Sequence, residues 1–395
     1  MSKARVALGL DAGSSSLKAS AIDIYSGERL KGFRRPYKED SGVLCSGAIS
    51  LKRFEDAVSS LLDDAQKEFE LSAIGLSTQM YSICIEEPGG IFVLPWNSPW
   101  EADTKAAEAM KRFYPVTGCP PKAMFPLYKL LSRQGEGFRF LPYGLKGALS
   151  GFLTGQRSCD LTTAGSSGFT EYRARRWNRE LIRSLGLKET ELPSLTVHTA
   201  PAGTCRGAVY ANALGDGPSA SYACLHLGRF CANLGTSVAV RTITAREEDL
   251  LPGSLWRYAV DGQNCVVGDV SAAGCGLIEQ KREEGSLFEG SPVYRDVAFT
   301  VLRMAEAMRP EPEDVLVLAG GGVFLPDLMK ILTRTIPLKM AVLKDGEYLA
   351  ADGAAASALK AAGFDTVPRI ELDRVLETED EYASEYEAWK KNQEG

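Results

Sequence analysis

The chain has 395 residues, 45% of them hydrophobic and 24% charged, with a formal net charge of −6. That length points to two domains, each long enough to bury a core, and the diffuse acidic balance, with no basic stripe, argues against a nucleic-acid partner. No apolar run nears the roughly 20 residues that a membrane helix needs. The opening MSKARVALGLDAGSS carries neither an apolar h-region nor a cleavage site, so no signal peptide is expected. The nine cysteines are scattered and form no C-x-x-C pair; they read as small core residues of a cytoplasmic protein with reduced thiols.

In chain order, Arg5–Leu10 is an apolar strand that runs into a small turn at Asp11–Ser16, and Leu17–Ile24 alternates as a half-buried strand. Phe54, Ala57, Val58, Leu61, Leu62 and Ala65 recur at three- and four-residue steps, which predicts a helix over Lys52–Phe69. Ala73–Ser77 and Tyr81–Ile85 follow as strands. Thr117–Thr204 reads as mostly helical and irregular, with a junction near Pro201–Asn212. A second hairpin then forms from Arg229–Leu234 and Val238–Thr244 around Gly235-Thr236-Ser237. Leu255–Val260 and Cys265–Gly268 are strands, Ser271–Arg282 is helical, and Val293 to Met308 is a further helix. Val315–Leu318, the helical Phe324–Thr333, Leu338–Leu343 and the Ala-rich helix Leu349–Ala362 complete the pattern; the acidic tail after Arg369 reads as a solvated helix or a frayed end. Two hairpins with matching turn chemistry suggest a diverged internal duplication with a cleft between the halves.

The familiar nucleotide motifs are absent: there is no G-x-x-x-x-G-K-[ST], and no G-x-G-x-x-G follows a strand. Nor is there a G-x-S-x-G elbow or an H-E-x-x-H, and His198 and His226 are far apart in sequence. What remains is carboxylates and glycine turns. The tip Gly13-Ser14-Ser15 offers backbone N–H groups and hydroxyls to phosphate oxygens, and Asp11 beside it suits Mg²⁺ held through water; a plain tight turn with a locally bonded Asp is the competing reading. Asp216 lies between Gly215 and Gly217, which allow close backbone approach to a substrate. Gly320–Gly322 ends a buried strand and opens a helix, a place for a nucleotide or merely a turn that needs small residues. Asp103 and Lys105 stand in a charge-rich stretch that reads equally as a solvated face, and Trp96 and Trp100 as loop packing or a sugar wall.

Taken together these segments resemble the FGGY carbohydrate kinases. Gly9-Leu10-Asp11-Ala12-Gly13-Ser14-Ser15-Ser16-Leu17-Lys18 is similar to the family's first phosphate motif, Leu214-Gly215-Asp216-Gly217 to its Gly-Asp motif, Asn233-Leu234-Gly235-Thr236-Ser237 to its second phosphate motif, and Ala319-Gly320-Gly321-Gly322 to its adenosine motif. Gly118-Cys119-Pro120, the stretch Met124-Phe125-Pro126-Leu127-Tyr128-Lys129-Leu130 and the Asp216-Gly217 pair lean toward the gluconokinase branch. Four departures stand out. Tyr81 follows Met80 where the family usually has His, Lys105 replaces the Arg of an Asp-x-Arg sugar contact, and Leu325 replaces a commonly polar residue. The chain is also short between Gly285 and Val293, without the usual Gly-Glu-Arg-x-Pro stretch.

The resemblance implies an α/β fold of two ribonuclease-H-like, actin-like ATPase domains flanking a cleft, with residues 1–208 binding sugar and 209–395 binding nucleotide. It implies ATP and Mg²⁺ as cofactors and a small sugar or sugar acid as partner, gluconate first, and it allows a homodimer. Phosphate and ATP contacts would come from Gly13, Ser14, Ser15, Lys18, Gly235, Thr236, Ser237, Gly320, Gly321 and Gly322. Asp11 would hold the metal. Gln79, Met80, Tyr81, Asp103, Lys105 and Asp216 would meet the substrate, with Asp216 as the catalytic base. The alternatives are a xylulokinase-like ketose kinase, a non-catalytic sugar-binding regulator of the same fold, and an actin- or chaperone-like ATPase acting on protein partners.

Overall fold

The computed structural model describes residues 3–37, 48–96, 98, 100–132, 138–245, 255–288, 290–378 and 381–394. The chain divides into two compact units, the first of residues 1–223, 257–266 and 348–369, the second of residues 224–256, 267–347 and 370–395. The chain therefore enters the first unit three times.

The first unit is built on a six-stranded sheet in the order Gly203–Cys205, Ala208–Asn212, Glu70–Thr78, Arg5–Ala12, Ser16–Asp23, Arg29–Pro36. The last three pair antiparallel, while Arg5–Ala12, Glu70–Thr78 and Ala208–Asn212 run parallel. The helix Leu51–Glu68 buries the predicted stripe of Phe54, Val58, Leu61, Leu62 and Ala65. Against the sheet also lies the Ala-rich helix Leu349–Ala361, the chain's third entry into this unit. Its approach is so close that a Cβ on Gly9 or Gly75 would overlap the backbone of Ala351 or Ala354. Alanines on one side and glycines on the other let the two backbones meet; a larger side chain on either would separate them.

The second unit repeats this plan. Its seven-stranded sheet runs in the order Trp256–Ala259, Cys265–Ser271, Val238–Thr244, Phe230–Leu234, Val315–Ala319, Lys339–Leu343, Leu372–Leu376. Phe230–Leu234 pairs antiparallel with its hairpin partner and parallel with Val315–Ala319, which is parallel to Lys339–Leu343. An antiparallel strand closes the edge beside Lys339–Leu343, as Gly203–Cys205 does in the first unit. Five strands of each sheet thus share one order, the pattern expected of a duplication, while the outer edge strands differ in number and in chain order. The core of this unit gathers Phe230, Val238, Val297, Val301, Leu316, Leu328 and Met340.

Several expectations need correction. The helix expected over Ser271–Arg282 begins at Cys275, because Cys265–Ser271 continues as strand. The region 117–204 holds short strands, among them Arg139–Leu141 and Ser158–Asp160, as well as helices. The tail after Arg369 supplies the edge strand Leu372–Leu376 and the helix Ala383–Glu394 rather than a frayed end. Eight free cysteines are described, seven of them buried; Cys45 lies outside the described residues. Among the described residues no helix is long and apolar enough to cross a membrane.

Candidate functional site

The parallel strands of the first unit end together, and their ends carry the polar residues. Asp11 pairs in register with Ser77 on one side and Lys18 on the other, and Ala12 pairs with Thr78. Gln79 continues the strand by donating its N–H to Ala12 at 2.9 Å. Crevices at the carboxyl ends of parallel strands are where α/β folds place ligands, since the chain reverses there and leaves backbone and side chains exposed to a guest.

Asp216 is the first residue of the helix Asp216–Ala223, placed there by the loop that follows the parallel strand Ala208–Asn212. Its Oδ1 accepts the N–H of Gly217 at 2.9 Å and that of Met80 at 3.3 Å. A carboxylate at a helix start is stabilised by the unpaired N–H groups there. The bond from Met80 ties Asp216 to the end of Glu70–Thr78. Gly215 is needed at this junction, because a Cβ there would stand 2.5 Å from Met80 Cγ.

The electrostatics reinforce the geometry. Burial, helped by the neighbouring charge of Asp216, pushes the Asp11 carboxyl from its ordinary 3.8 up to about 7, with Lys18 and Lys146 opposing. Asp11 Oδ1 is buried yet accepts no hydrogen bond from a described residue, and Ser77 Oγ, Thr78 Oγ1 and both the donor Nε2 and the acceptor Oε1 of Gln79 likewise have no described partner. Folded proteins rarely leave such a cluster unsatisfied. Its concentration at one strand end marks a place built to receive a polar guest. Tyr81 follows at φ +63°, a left-handed conformation that is costly for a bulky residue and tends to occur at functional sites. This bend replaces the first residues of the expected strand, which starts at Ile83. Tyr81 is held edge-on against Phe125, ring centroids 5.3 Å apart, and receives a hydrogen bond from the Tyr258 hydroxyl at 3.3 Å.

The structure thus brings Asp11, Lys18, Gln79, Met80 and Asp216 together, with Gly13, Ser14 and Ser15 forming the adjoining hairpin tip, where Gly13 N–H donates to Ser16 at 3.2 Å. Asp103 and Lys105 are placed differently. The Asp103 side chain caps the helix Thr104–Thr117 by accepting the Ala106 N–H at 2.9 Å, and Lys105 is exposed on its first turn. Within Met124–Leu130, Phe125 and Leu127 are core residues, and Tyr128 exchanges hydrogen bonds with the Asp103 backbone. Lys129 is buried, and its Nζ donates to the Trp96 carbonyl at 3.3 Å; burial lowers its pKa to about 8.

In the second unit the hairpin tip Gly235-Thr236-Ser237 and the glycines 320–322 lie at one end of the sheet, since Asn233 pairs with Ala319. The carbonyls of Gly235 and Thr236 accept the N–H groups of Cys275 and Gly276 at 2.9 and 3.1 Å, so the helix Cys275–Glu283 starts on the hairpin. Gly320 adopts φ +94°, and a Cβ there would meet the Leu234 carbonyl oxygen at 2.7 Å; one on Gly322 would meet Cys275 Sγ at 2.6 Å. Gly321 differs: nothing lies within 4 Å of where its Cβ would be. Packing accounts for Gly320 and Gly322, and leaves Gly321 facing open space.

Sequence reasoning missed the support beneath Asp216, formed by Lys146, Asp160 and Thr162. Lys146 and Asp160 are fully buried and stand 3.1 Å apart. The available signal was a lone charge inside the mostly apolar run Leu141–Leu153, in a region set aside as irregular.

Residues 6–216 match the model of the N-terminal domain of the FGGY family of carbohydrate kinases. Comparison with curated proteins gave no match. Among solved structures the chain is similar to a gluconate kinase from Lactobacillus acidophilus, with a TM-score of 0.79 and 17% identity over 98% of this chain and 96% of that one. A ligand-bound xylulose kinase from the same organism aligns with a TM-score of 0.79 and 17% identity over 97% and 96%. Plasmodium falciparum glycerol kinase with ADP aligns with a TM-score of 0.78 and 14% identity over 100% and 98%. These likenesses extend over nearly the whole of each chain and establish the mixed α/β fold of the actin-like sugar kinases.

Proposed function

Since this chain belongs to the FGGY family of carbohydrate kinases and is therefore an ATP-dependent kinase, we propose that it transfers the γ-phosphate of ATP to a hydroxyl of a small sugar acid, with gluconate as the best acceptor. The observation that carries the site assignment is the convergence of Asp11 and Asp216 on a strand end lined by unsatisfied buried polar atoms. Phosphoryl transfer asks for in-line positioning, charge neutralisation and a carboxylate to take the proton. In this reading Asp216, oriented by the Met80 and Gly217 N–H groups, removes the acceptor's hydroxyl proton. Gln79, Met80 and Tyr81 position the acceptor, and Asp103 and Lys105 approach it from their helix. Gly13, Ser14, Ser15 and Lys18 receive transferring phosphate oxygens, as do Gly235, Thr236 and Ser237, and the Gly320–Gly322 turn carries the nucleotide base and ribose. The sugar falls to the N-terminal part, residues 1–208, and the nucleotide to residues 209–395.

The residues present fit Mg²⁺. Asp11 offers a buried oxygen without a hydrogen-bond donor, and no group of three or more His, Cys, Asp or Glu forms a full cage among the described residues; Mg²⁺ keeps several waters and takes one or two protein carboxylates. Bound at Asp11, the ion would neutralise charge on the phosphate oxygens.

The choice of gluconate rests on the Met124–Leu130 stretch and Asp216-Gly217, which resemble the gluconokinase branch. A coupled ADP-release assay over aldonates, ketopentoses and glycerol tests it. Clearly higher kcat/KM on a ketopentose or glycerol overturns the sugar-acid choice, and ATP hydrolysis at full rate without any polyol overturns the kinase reading of this site.

A further inference from the structure

Three buried side chains link the interior of the first unit to the backbone just before Asp216. Lys146, on the helix Gly144–Thr154, donates from Nζ to the Leu76 carbonyl at 2.6 Å and to the Ala213 carbonyl at 2.5 Å. It stands 3.1 Å from Asp160 Oδ1. Asp160 Oδ2 accepts the N–H groups of Thr162 and Thr163 at 2.9 and 3.0 Å, and the Thr162 hydroxyl at 2.5 Å. That same Thr162 oxygen accepts the N–H of Gly215 at 2.9 Å. The network therefore grips Ala213 and Gly215, two of the three residues preceding Asp216. It also grips Leu76, on the strand that leads to the Met80 N–H bonded to Asp216. We propose that Lys146, acting through Asp160 and Thr162, is the positioning element that holds Asp216 in its catalytic orientation.

Packing alone does not account for this arrangement. A buried ion pair is seldom better for stability than apolar residues of the same volume, because both charges lose their hydration. What an apolar pair cannot do is fix two carbonyls and one N–H at set positions from three directions. Lys146 gives two of its three donors to the two carbonyls and stands beside Asp160, and Thr162 uses its hydroxyl both to donate to Asp160 and to accept from Gly215. Displacing the loop 213–216 would take from Lys146 its Ala213 acceptor and from Thr162 its Gly215 donor, leaving buried polar atoms unmatched. Burial would push the Asp160 carboxyl up, but the Lys146 charge and the Thr162 and Thr163 donors outweigh it and hold the pKa below the usual carboxylate value. Asp160 is therefore a carboxylate throughout the range in which the enzyme would work.

This role rests on Asp216 being the base, so the experiment separates the two claims. Thr162→Val keeps the shape but removes both hydrogen bonds of the hydroxyl; Thr162→Ser keeps them. Misplacement of a catalytic group costs roughly 10- to 100-fold in rate. The expected result for Thr162→Val is a kcat loss of that order, with KM for MgATP and acceptor within about twofold and the fold retained by circular dichroism. Thr162→Ser should restore kcat. The double variant Thr162→Val/Asp216→Asn should be no slower than Asp216→Asn alone, since a positioning group has nothing to add once the base is gone. Lys146→Met should give the larger loss; if it fails to fold, the Thr162 series still decides. Thr162→Val with wild-type kcat beside an inactive Asp216→Asn overturns the positioning role and spares the base. So does a Thr162→Val loss that multiplies onto Asp216→Asn unchanged. A folded Asp216→Asn enzyme with near-normal turnover overturns the base, and this role with it.

Discussion

Asp11→Asn should make the protein more stable at alkaline pH while abolishing its Mg²⁺-dependent chemistry. The ordinary carboxyl value of 3.8 applies to the unfolded chain, and the folded value is about 7. Between those values the native state binds more protons than the unfolded state, so stability falls as pH rises through this window. The full difference corresponds to roughly 4 kcal/mol at pH 8, at about 1.4 kcal/mol per pH unit. Asp11 as a residue is half-buried although its Oδ1 is enclosed, and water reaching the rest of the side chain reduces the expected gain to about 2 kcal/mol. Asn has the size of Asp and no charge to desolvate, so the variant escapes the cost. Thermal melts of both proteins at pH 4, 6 and 8, without nucleotide or metal, provide the assay. The variant and the wild type should melt together at pH 4, and the variant should melt several degrees higher at pH 8. Adding Mg²⁺ at pH 8 should raise the wild type and leave the variant unmoved. A gap that is the same at every pH, or a variant less stable at pH 8, would refute the carboxylate cluster as described.

Gly321→Ala should fold as the wild type does, because its Cβ meets open space, but should raise KM for ATP if the nucleotide lies over this turn. Gly320→Ala should lower the melting temperature instead, since φ +94° and the Leu234 carbonyl both oppose a side chain. Lys105→Ala should raise KM for a sugar acid more than for a neutral polyol; an equal effect on both returns this exposed lysine to a solvated face. Gly353→Ala should destabilise the first unit by about 1–3 kcal/mol in urea titration, because its Cβ would overlap the Ser219 carbonyl and part the helices Leu349–Ala361 and Asp216–Ala223. Unchanged stability there would contradict the close approach that the alanine-rich helix makes.

Much of this was legible in the sequence, because its signals are local. Two hairpins declared themselves through alternation around small turns, and the helix Leu51–Glu68 through a stripe of six apolar residues at helical steps. The Gly-Asp and Gly-rich segments drew attention because glycine permits backbone conformations and approaches that other residues do not. Tertiary structure decided what depends on partners distant in the chain. The Ala-rich helix reads as amphipathically featureless, and only its contact with Gly9 and Gly75 reveals that it belongs with the first strands of the chain. Asp103 carries the same letter as Asp11, yet one caps a helix and the other sits enclosed at a strand end with its pKa raised. Lys146 looks like a stray charge until Asp160, Leu76 and Ala213 surround it. Propensity and pattern act over a few residues. A buried carboxylate's energy is set by the dielectric and charges within several ångströms, whichever part of the chain supplies them.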